Sequence, residues 1–441
     1  MRFEVAAHGP LRGAASLPGD RSLTLSVMAY AAFAPEKIAI ENPSPSPDVA
    51  SFRGFLEDNG AAFEDTETGF AVRGAYWSGD LILDGSVPDD IVHIAAAGAV
   101  ASGRTVRLAA ESVKRAAITL HLTDMIKRMG LSADAVEQDG DGVTLTGASF
   151  SPPAEIAVKS AWELETVCSA AMESGAPLTV TYPPQVVTHS VRLLALLGYG
   201  FDEPDEDAVR EAELARRMAK AAGEPPPVAH KFDATGKRHP SVSMPGDSQI
   251  AASIAGAAAV IMKSDVRIKN VLWEQSRRGF FDSLRRMKAD VTYEQSRTGN
   301  SFDTADVRIR WEPLESVHLN SAQSLTLTTE LQILGAVAAF AGGETIISDI
   351  VDGPGVGREA FTLLSHGLEM LDVHVGDYAD GFVVRGTQEL RGNLVDASGL
   401  PETALAFAVA GMNASGTTAV FGYDPEMYPL KEFFRIIEEL S

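Results

Sequence analysis

A repeated helix–turn–strand unit constrains the fold of this chain more than any other feature of its sequence. An amphipathic helical segment, a turn and a short strand-like segment follow one another six times, in two sets of three. In the first set a glycine after the helix supplies the left-handed residue that closes it. The copies lie at residues 52–61, 122–131, 191–199, 280–289, 363–372 and 432–440. This alternation predicts an α/β protein whose helices pack on sheets.

A second, longer repeat marks where the chain passes between two halves. Pro18-Gly19-Asp20 returns as Pro245-Gly246-Asp247, and an Ala-rich helical segment and an alternating strand follow each copy. The aspartate of each copy can cap free N–H groups at the helix start. We therefore expect a discontinuous domain one, residues 1–19 plus 245–441, and a domain two, residues 20–244. The polar stretch 204–236 is expected to be an inserted helix plus a loop.

Composition excludes several classes of function. The chain carries 37 Lys and Arg against 60 Asp and Glu, a net charge of −23, whereas nucleic-acid binding needs a basic surface. No segment is apolar enough to span a membrane, and the N-terminus has no secretory signal. The single cysteine, Cys168, excludes an internal disulfide. We expect a cytoplasmic protein without metal or cofactor, because no His/Cys/Asp group has metal-ligand spacing and no nucleotide-binding loop occurs.

The order and spacing of five motifs resemble the enolpyruvyl transferases, and among them 5-enolpyruvylshikimate-3-phosphate synthase. The motifs span essentially the whole chain, at residues 17–22, 189–192, 245–248, 277–287 and 335–345. The resemblance implies a two-domain α/β fold, an inside-out α/β barrel in which each domain holds three βαβαββ repeats. It also implies that a small-molecule substrate binds in a cleft at the interdomain hinge.

The same resemblance supplies the candidate site residues. Arg21 stands for the family lysine and keeps its charge, Ser22 matches the serine after it, and Glu330 keeps one acid of a proton-transfer pair. The candidate catalytic residues are Arg21, Glu330 and Glu402. The candidate substrate-binding residues are Ser22, Ser160, Trp162, His189, Arg358 and Tyr428.

Several cations of the family are replaced in this chain. Ser26, Ala117, Val187 and Tyr428 stand where the family carries basic residues, and the acidic stretch 84–90 replaces a phosphate-docking turn. Each lost charge-assisted contact costs roughly 1.5–3 kcal/mol, so four cost on the order of 6–12 kcal/mol. A millimolar-to-micromolar ligand has only about 4–8 kcal/mol of binding energy. The ordinary shikimate-pathway reaction is therefore expected to be inefficient.

Three hypotheses of function remain open. The first is an enolpyruvyl (carboxyvinyl) transferase that uses an unusual acceptor. The second is another reaction on the same scaffold, a cyclisation, isomerisation or elimination, with Glu330 and Glu402 as acid and base. The third is a non-catalytic binding homologue. Nucleic-acid and membrane partners are excluded, and a monomer is favoured.

Overall fold

The structure is a computed structural model of the chain. It describes residues 1–34, 36–74, 80–109, 113–130, 136–139, 142–147, 153, 155–175, 178–182, 184–202, 228–233, 241–296, 301–324, 326–327, 329–348, 358–378, 381–386 and 389–441. Within these ranges the side chains of residues 113–115, 117, 138–139, 184–186, 228, 321–322 and 358–360 are excluded from the description.

Helices and strands alternate along the described chain. In chain order they are β1 (Arg2–Ala6), β2 (Arg12–Ala15), α1 (Arg21–Ala32), β3 (Ile38–Glu41), α2 (Pro47–Asp58), β4 (Ala62–Thr66), β5 (Gly69–Arg73), β6 (Leu81–Leu83), α3 (Val92–Ala101), β7 (Val106–Ala109), α4 (Val113–Arg128), β8 (Val136–Asp139), β9 (Gly142–Leu145), β10 (Glu155–Ala157), α5 (Ala161–Ser174), β11 (Leu178–Tyr182), α6 (Pro184–Leu196), β12 (Gly200–Phe201), β13 (Val228–Asp233), β14 (Ser241–Ser243), α7 (Ser248–Val260), β15 (Asp265–Leu272), α8 (Gly279–Arg286), β16 (Asp290–Ser296), β17 (Thr304–Arg310), β18 (His318–Leu319), α9 (Ser321–Ser324), α10 (Glu330–Ala338), β19 (Gly343–Ile347), α11 (Arg358–Met370), β20 (His374–Tyr378), β21 (Gly381–Gly386), β22 (Leu394–Asp396), α12 (Pro401–Gly411), β23 (Thr417–Phe421) and α13 (Leu430–Glu439).

The described strands form small mixed sheets that share one topology. In β6-β7-β9-β8 the first two strands pair in parallel, and the last two extend the sheet antiparallel. The same order recurs in β10-β11-β13-β12, β14-β3-β5-β4, β2-β15-β17-β16 and β18-β19-β21-β20, and in three-stranded form in β22-β23-β1. With its helices, β6 to β9 reads βαβαββ along the chain. The two-domain α/β fold expected from the resemblance is therefore confirmed.

Contacts between Cα atoms divide the chain into two compact units. Unit one contains Met1–Pro18, Pro245–Thr298 and Asp303–Ser441, and unit two contains Gly19–Met244 and Gly299–Phe302. The segment Gly299–Phe302 thus groups with unit two, whereas the sequence placed it in domain one. Among its described residues, Ser301 forms a parallel bridge with Ser243. The interdomain cleft stays a prediction.

The turn after each repeated helix takes the left-handed conformation that the sequence indicates. Gly60, Gly130 and Gly198 have φ values of 96°, 101° and 88°. In the second set of repeats, Lys288 and Asp372 adopt φ values of 69° and 67° in the same place. The turn is therefore common to both sets, although glycine supplies it only in the first.

Three nearly fully buried helices lie at the centre of each unit. In unit two they are α1, α3 and α5, and all ten residues of α3 are buried. In unit one they are α7, α10 and α12, which pack on one another. Apolar residues surround these helices on all sides, as expected for core helices. No helix in the described part of the chain is long and apolar enough to cross a membrane.

One expectation for the polar stretch 204–236 is wrong. Its described residues, Val228–Asp233, form strand β13, which pairs antiparallel with β11 and β12. The side chain of Phe232 is buried on one face of this strand, whereas Lys231 and Asp233 are exposed. The segment completes its sheet because the repeated topology requires a fourth strand there. The helix expected before it lies outside the described residues.

The aspartate of each Pro-Gly-Asp motif caps the helix that follows. Asp20 accepts a hydrogen bond from Leu23 N at 3.0 Å, and Asp247 accepts one from Ile250 N at 3.0 Å. The Tyr428 hydroxyl also donates to the Asp247 carboxylate. In the second motif, Asp247 therefore both caps a helix and binds the candidate site residue Tyr428.

Replacing Asp247 by alanine is expected to lower the free energy of unfolding by about 1–2 kcal/mol, because the N-cap of α7 is lost. Asp247→Asn keeps an accepting oxygen and should cost much less. Urea unfolding followed by circular dichroism measures both variants. Equal losses for alanine and asparagine would show that the cap does not carry the effect.

Candidate functional site

The candidate site residues are divided between the two units. Arg21, Ser22, Ser160, Trp162 and His189 belong to unit two. Glu330, Arg358, Glu402 and Tyr428 belong to unit one. All but Tyr428 lie in a helix or at its first position or cap: Arg21 and Ser22 begin α1, Ser160 caps α5, and Glu330, Arg358 and Glu402 lie in the first turns of their helices. His189 lies within α6.

Arg21 is held between two carboxylates of unit two. Its Nε donates to Asp48 Oδ2 at 2.6 Å, and its Nη1 donates to Asp90 Oδ2. Burial alone would lower the pKa of Arg21, but the charges of Asp90 and Asp48 outweigh it and raise that pKa above its ordinary value. The Arg21 cation is therefore already matched by two acids.

The acidic stretch 84–90 forms part of this arrangement. Asp84 Oδ1 accepts hydrogen bonds from Ser86 N at 2.9 Å and from Ser86 Oγ at 2.5 Å, which closes a local turn. Asp90 at the other end of the stretch pairs with Arg21. With Asp48 it places two negative charges beside one positive charge.

The start of α5 holds two of the candidates. Ser160 Oγ accepts from Glu163 N at 3.2 Å and caps the helix. The Trp162 ring packs against two imidazoles, with its centroid 4.6 Å from that of His93 and 4.8 Å from that of His121. Its indole N–H is buried and has no hydrogen-bond partner among the described residues.

The residues His93, His121, Trp162, Glu163 and Glu165 are called the His–Trp–Glu cluster below. In it each imidazole faces a carboxylate of α5. His93 Nε2 lies 3.4 Å from Glu165 Oε2, and His121 Nε2 lies 3.6 Å from Glu163 Oε1. The first pair is buried, whereas the His121 side chain is 42% exposed. The cluster therefore reaches from the surface into the core.

Further contacts fix the two carboxylates of the cluster. Glu165 Oε1 accepts from Ser190 Oγ at 2.6 Å. Glu163 Oε2 accepts from Lys159 N at 2.8 Å, and Glu163 Oε1 lies 3.5 Å from Arg128 Nη1. Both acids are thus held in place within a mostly apolar helix.

The Glu165 carboxylate remains ionised despite its burial. Burial alone would raise the pKa of Glu165, but the imidazole of His93, the charge of His189 and the Ser190 hydroxyl bring it below its ordinary value. Burial and the nearby Glu165 charge raise the pKa values of Tyr30 and Cys168, which stay neutral. Glu165 is therefore the charged partner of His93.

In unit one the two candidate acids begin neighbouring helices. Glu330 is the first residue of α10 and Glu402 the second of α12, and both are buried. Thr403 Oγ1 donates to Gln332 Oε1 at 2.5 Å, so the first turns of the helices lie side by side. An acid in a first turn is favoured by the helix dipole, which stabilises negative charge there.

The remaining candidates differ in how fully they are described. Tyr428 donates to the Asp247 carboxylate and accepts a hydrogen bond from the Tyr423 hydroxyl at its carbonyl oxygen, at 2.7 Å. Ser22 is half-buried in the first turn of α1. Arg358 begins α11, but its side chain lies outside the described residues, as does that of Ala117.

The sequence interpretation missed His93, His121, Glu165 and Ser190. Two of them carried a signal, because His93 interrupts an otherwise apolar helix and Glu165 lies beside the apolar residues of α5, and buried titratable residues need a partner. Their pairing could not be inferred, since α3 and α5 are distant in sequence. No group of three metal-ligating side chains occurs in the part of the chain that the structure describes.

The similarity of this chain to known proteins extends over its whole length. A family model for EPSP synthase (3-phosphoshikimate 1-carboxyvinyltransferase) matches residues 226–426. A 3-phosphoshikimate 1-carboxyvinyltransferase of Roseiflexus sp. (strain RS-1) is 28% identical over 452 residues, covering 100% of this chain and 99% of the relative. One from Desulfitobacterium hafniense (strain DSM 10664 / DCB-2) is 25% identical, covering 98% and 96%.

Solved structures show the same fold at lower sequence identity. EPSP synthase from Acinetobacter baumannii superimposes with a TM-score of 0.74 at 18% identity, over 100% of this chain and 98% of that one. The enolpyruvyl transferase NikO from Streptomyces tendae gives 0.73 at 18% identity, over 99% and 96%. The resemblance inferred from the motifs is thereby confirmed: over its whole length the chain is similar to 3-phosphoshikimate 1-carboxyvinyltransferases and shares the fold of EPSP synthase and NikO.

Proposed function

We propose that this protein is a carboxyvinyl transferase whose acceptor is neutral or cationic and differs from shikimate 3-phosphate. Similarity to 3-phosphoshikimate 1-carboxyvinyltransferases supports the reaction class, and the environment of Arg21 carries the proposal about the acceptor. An anion that approaches Arg21 must compete with Asp48 and Asp90, which already pair with it. Among the described side chains, Arg21, Asp48 and Asp90 together carry a net charge of −1, which disfavours a phosphorylated ligand.

Two positions that carry cations in the family support the same conclusion. Ser26 and Val187 are both buried among the core residues of unit two. Neither side chain can supply a positive charge, and no phosphate can reach them without displacing core packing. A substrate with fewer negative charges than shikimate 3-phosphate fits the described residues better.

The acids of unit one support a second candidate function. Glu330 and Glu402 begin helices whose first turns are joined by the Thr403–Gln332 hydrogen bond. Two acids held at the same end of two packed helices suit proton transfer in a cyclisation, isomerisation or elimination. This second function is favoured over the first if the protein transfers a carboxyvinyl group to none of the acceptors tested.

Calorimetric titration of phosphoenolpyruvate and of shikimate 3-phosphate tests the acceptor proposal. We expect each to bind the wild type more weakly than about 100 μM. The double variant Asp48→Asn/Asp90→Asn should bind phosphoenolpyruvate about tenfold more tightly, because Arg21 then has no carboxylate competitor at these positions. Asp65→Asn is the matched control, because Asp65 pairs with Arg53 elsewhere in unit two.

Either of two results would contradict this proposal. One is wild-type binding of shikimate 3-phosphate below about 100 μM. The other is phosphate release from phosphoenolpyruvate that depends on shikimate 3-phosphate, with kcat/KM above about 10⁴ M⁻¹s⁻¹. Turnover with an uncharged alcohol in place of shikimate 3-phosphate is the expected positive result.

A further inference from the structure

One sheet of unit one has three described strands, whereas each of the other five sheets has four. In those five sheets the fourth strand pairs antiparallel with the third, as β8 does with β9 and β20 with β21. In β22-β23-β1 the third position belongs to β1, and no described strand pairs with its other side. β1 is therefore an edge strand in the part of the chain that the structure describes.

The outer edge of β1 presents the backbone groups of alternate residues. Gly422 N donates a hydrogen bond to Met1 O, and in an antiparallel ladder every second residue of a strand bonds to the same neighbour. The residues between, Arg2, Glu4 and Ala6, therefore direct their N–H and C=O groups away from β23. All three residues are exposed. Their backbone groups can thus form a ladder with one more strand.

A second copy of β1 fits this edge in its direction. Two neighbouring strands that are related by a twofold axis run antiparallel, and twofold symmetry is the commonest one in protein dimers. Antiparallel is also the direction of the fourth strand beside the third in the other five sheets. The β1 strand of a second copy would therefore occupy the position of a fourth strand, and the sheets of both copies would become continuous.

The charges of β1 favour one register of this pairing. Arg2 and Glu4 lie on the same face of the strand and form an ion pair with each other. When Phe3 faces Phe3 of the second copy, each Arg2 lies opposite Glu4 of the other copy, and both residues bond through their outward backbone groups. When Glu4 faces Glu4 instead, two like charges are opposed, which is destabilising.

Short edge strands with charged side chains usually resist pairing with other chains. In β1 the two charges have opposite signs and stand two positions apart. They therefore disfavour pairing centred on Glu4 and favour pairing centred on Phe3. The same charges that protect the edge from other strands make it complementary to itself.

The buried face of β1 supplies apolar contacts in the same register. Phe3 and Val5 are buried on this face, and the Phe434 ring of α13 packs edge-on against Phe3 with centroids 5.7 Å apart. Facing residues at a non-hydrogen-bonded position have Cα atoms only about 4.5 Å apart, so the Phe3 rings of the two copies adjoin. Met1, which is 83% exposed, then lies opposite Val5 of the second copy. The pairing therefore covers an exposed apolar side chain.

We propose that β1 is a self-association surface, along which two copies of this chain pair antiparallel about Phe3 with each Arg2 opposite Glu4 of the other copy. The proposal is independent of the reaction that the protein catalyses. It replaces the monomer favoured by the sequence with an equilibrium between monomer and dimer. The contact is small, so the dimer belongs to the weak class and forms at high protein concentration.

Sedimentation equilibrium of the full chain, without an added N-terminal tag, measures the association. At about 0.15 M salt the repulsion between distant charges of two acidic copies is largely screened. We expect the average mass to rise from that of one chain toward that of two as the protein concentration increases. The mass of a single chain at every concentration up to the solubility limit overturns the proposal.

Exchange of the two charges tests the strand and its register. Arg2→Glu and Glu4→Arg should each weaken self-association about tenfold, because like charges are then opposed at both pairs. An equimolar mixture of these two variants, and the double variant Arg2→Glu/Glu4→Arg, should associate as the wild type does. Arg391→Glu, at a side chain 78% exposed elsewhere in unit one, is the matched control and should have no effect. Unchanged association of the single variants, or no recovery in the mixture, overturns the proposal.

Glu4→Pro tests the backbone hydrogen bonds. The N–H of Glu4 points away from β23, so proline leaves the ladder between β1 and β23 intact and removes a donor from the outer edge. Glu4→Gln removes the same charge and keeps the N–H. We expect Glu4→Pro to associate more weakly than Glu4→Gln, with equal circular dichroism spectra. Equal association of these two variants overturns pairing through the edge of β1.

Discussion

His93→Leu is expected to lower the free energy of unfolding by about 3–5 kcal/mol at pH 7, because it leaves the buried Glu165 carboxylate without the imidazole that pairs with it. Among the described residues, Glu165 then keeps the Ser190 hydroxyl and the charge of His189. Leucine has a similar volume, so the loss reports charge rather than packing. Urea unfolding followed by tryptophan fluorescence measures it.

The double variant His93→Leu/Glu165→Leu is the control for this prediction. Replacing both partners by apolar residues removes the unmatched charge, so the double variant should be more stable than His93→Leu alone. A loss under 1 kcal/mol in His93→Leu would indicate that Glu165 is neutral in the wild type, since an uncharged carboxyl group needs no partner.

The stabilisation that the ionised Glu165 carboxylate contributes changes with pH in a definite direction. The folded-state pKa of Glu165 lies below its ordinary value of 4.5, so its stabilisation is complete above pH 4.5 and is lost as the pH falls through the folded-state pKa. In His93→Leu the carboxyl group can take up a proton more readily. The difference in stability between wild type and variant should therefore shrink as the pH falls below 4.5. A difference that stays constant would contradict the assignment.

Gly19→Ala is expected to destabilise unit two by about 3 kcal/mol, because no space exists for a β-carbon there. A β-carbon at Gly19 would lie 1.8 Å from the carbonyl oxygen of Asn42, which is backbone and cannot move aside. At Gly246, the equivalent position of the second motif, the nearest atom belongs to the Leu17 side chain at 2.6 Å. Gly246→Ala should therefore cost less than Gly19→Ala.

Gly54→Ala supplies the matched control for these substitutions. Gly54 lies inside α2, and a β-carbon there meets no atom within 4 Å. Alanine is the better helix former, so this variant should gain about 0.5–1 kcal/mol. Urea unfolding of all three variants should rank Gly54→Ala above Gly246→Ala and Gly246→Ala above Gly19→Ala. Equal stability of Gly19→Ala and the wild type would disprove the close approach.

Local features of the fold were predictable from the sequence because neighbouring residues determine them. The helix caps Asp20 and Asp247 and the turn glycines Gly60, Gly130 and Gly198 depend on backbone conformation over a few residues. The strand β13 was not predictable, because its place depends on a sheet built from distant segments. β14 similarly pairs with β3, from the far end of unit two.

The candidate site likewise combines residues that the sequence could identify with contacts that it could not predict. Motif order alone identified Arg21, Trp162 and Glu330 as positions to consider. The partners of these side chains emerged only from the tertiary structure: Arg21 meets Asp48 and Asp90, and Trp162 meets His93 and His121. The reason is physical, because charge matching and ring packing depend on which helices lie side by side.

The sequence by itself indicated the resemblance to the enolpyruvyl transferases and the repeated α/β units, because both follow from residue type and short-range spacing. Only the tertiary structure decided that Arg21 is matched by two acids and that His93 and Glu165 form a buried pair. Those side chains lie on helices and loops far apart in the chain. Long-range packing brings them together, and no local pattern encodes it.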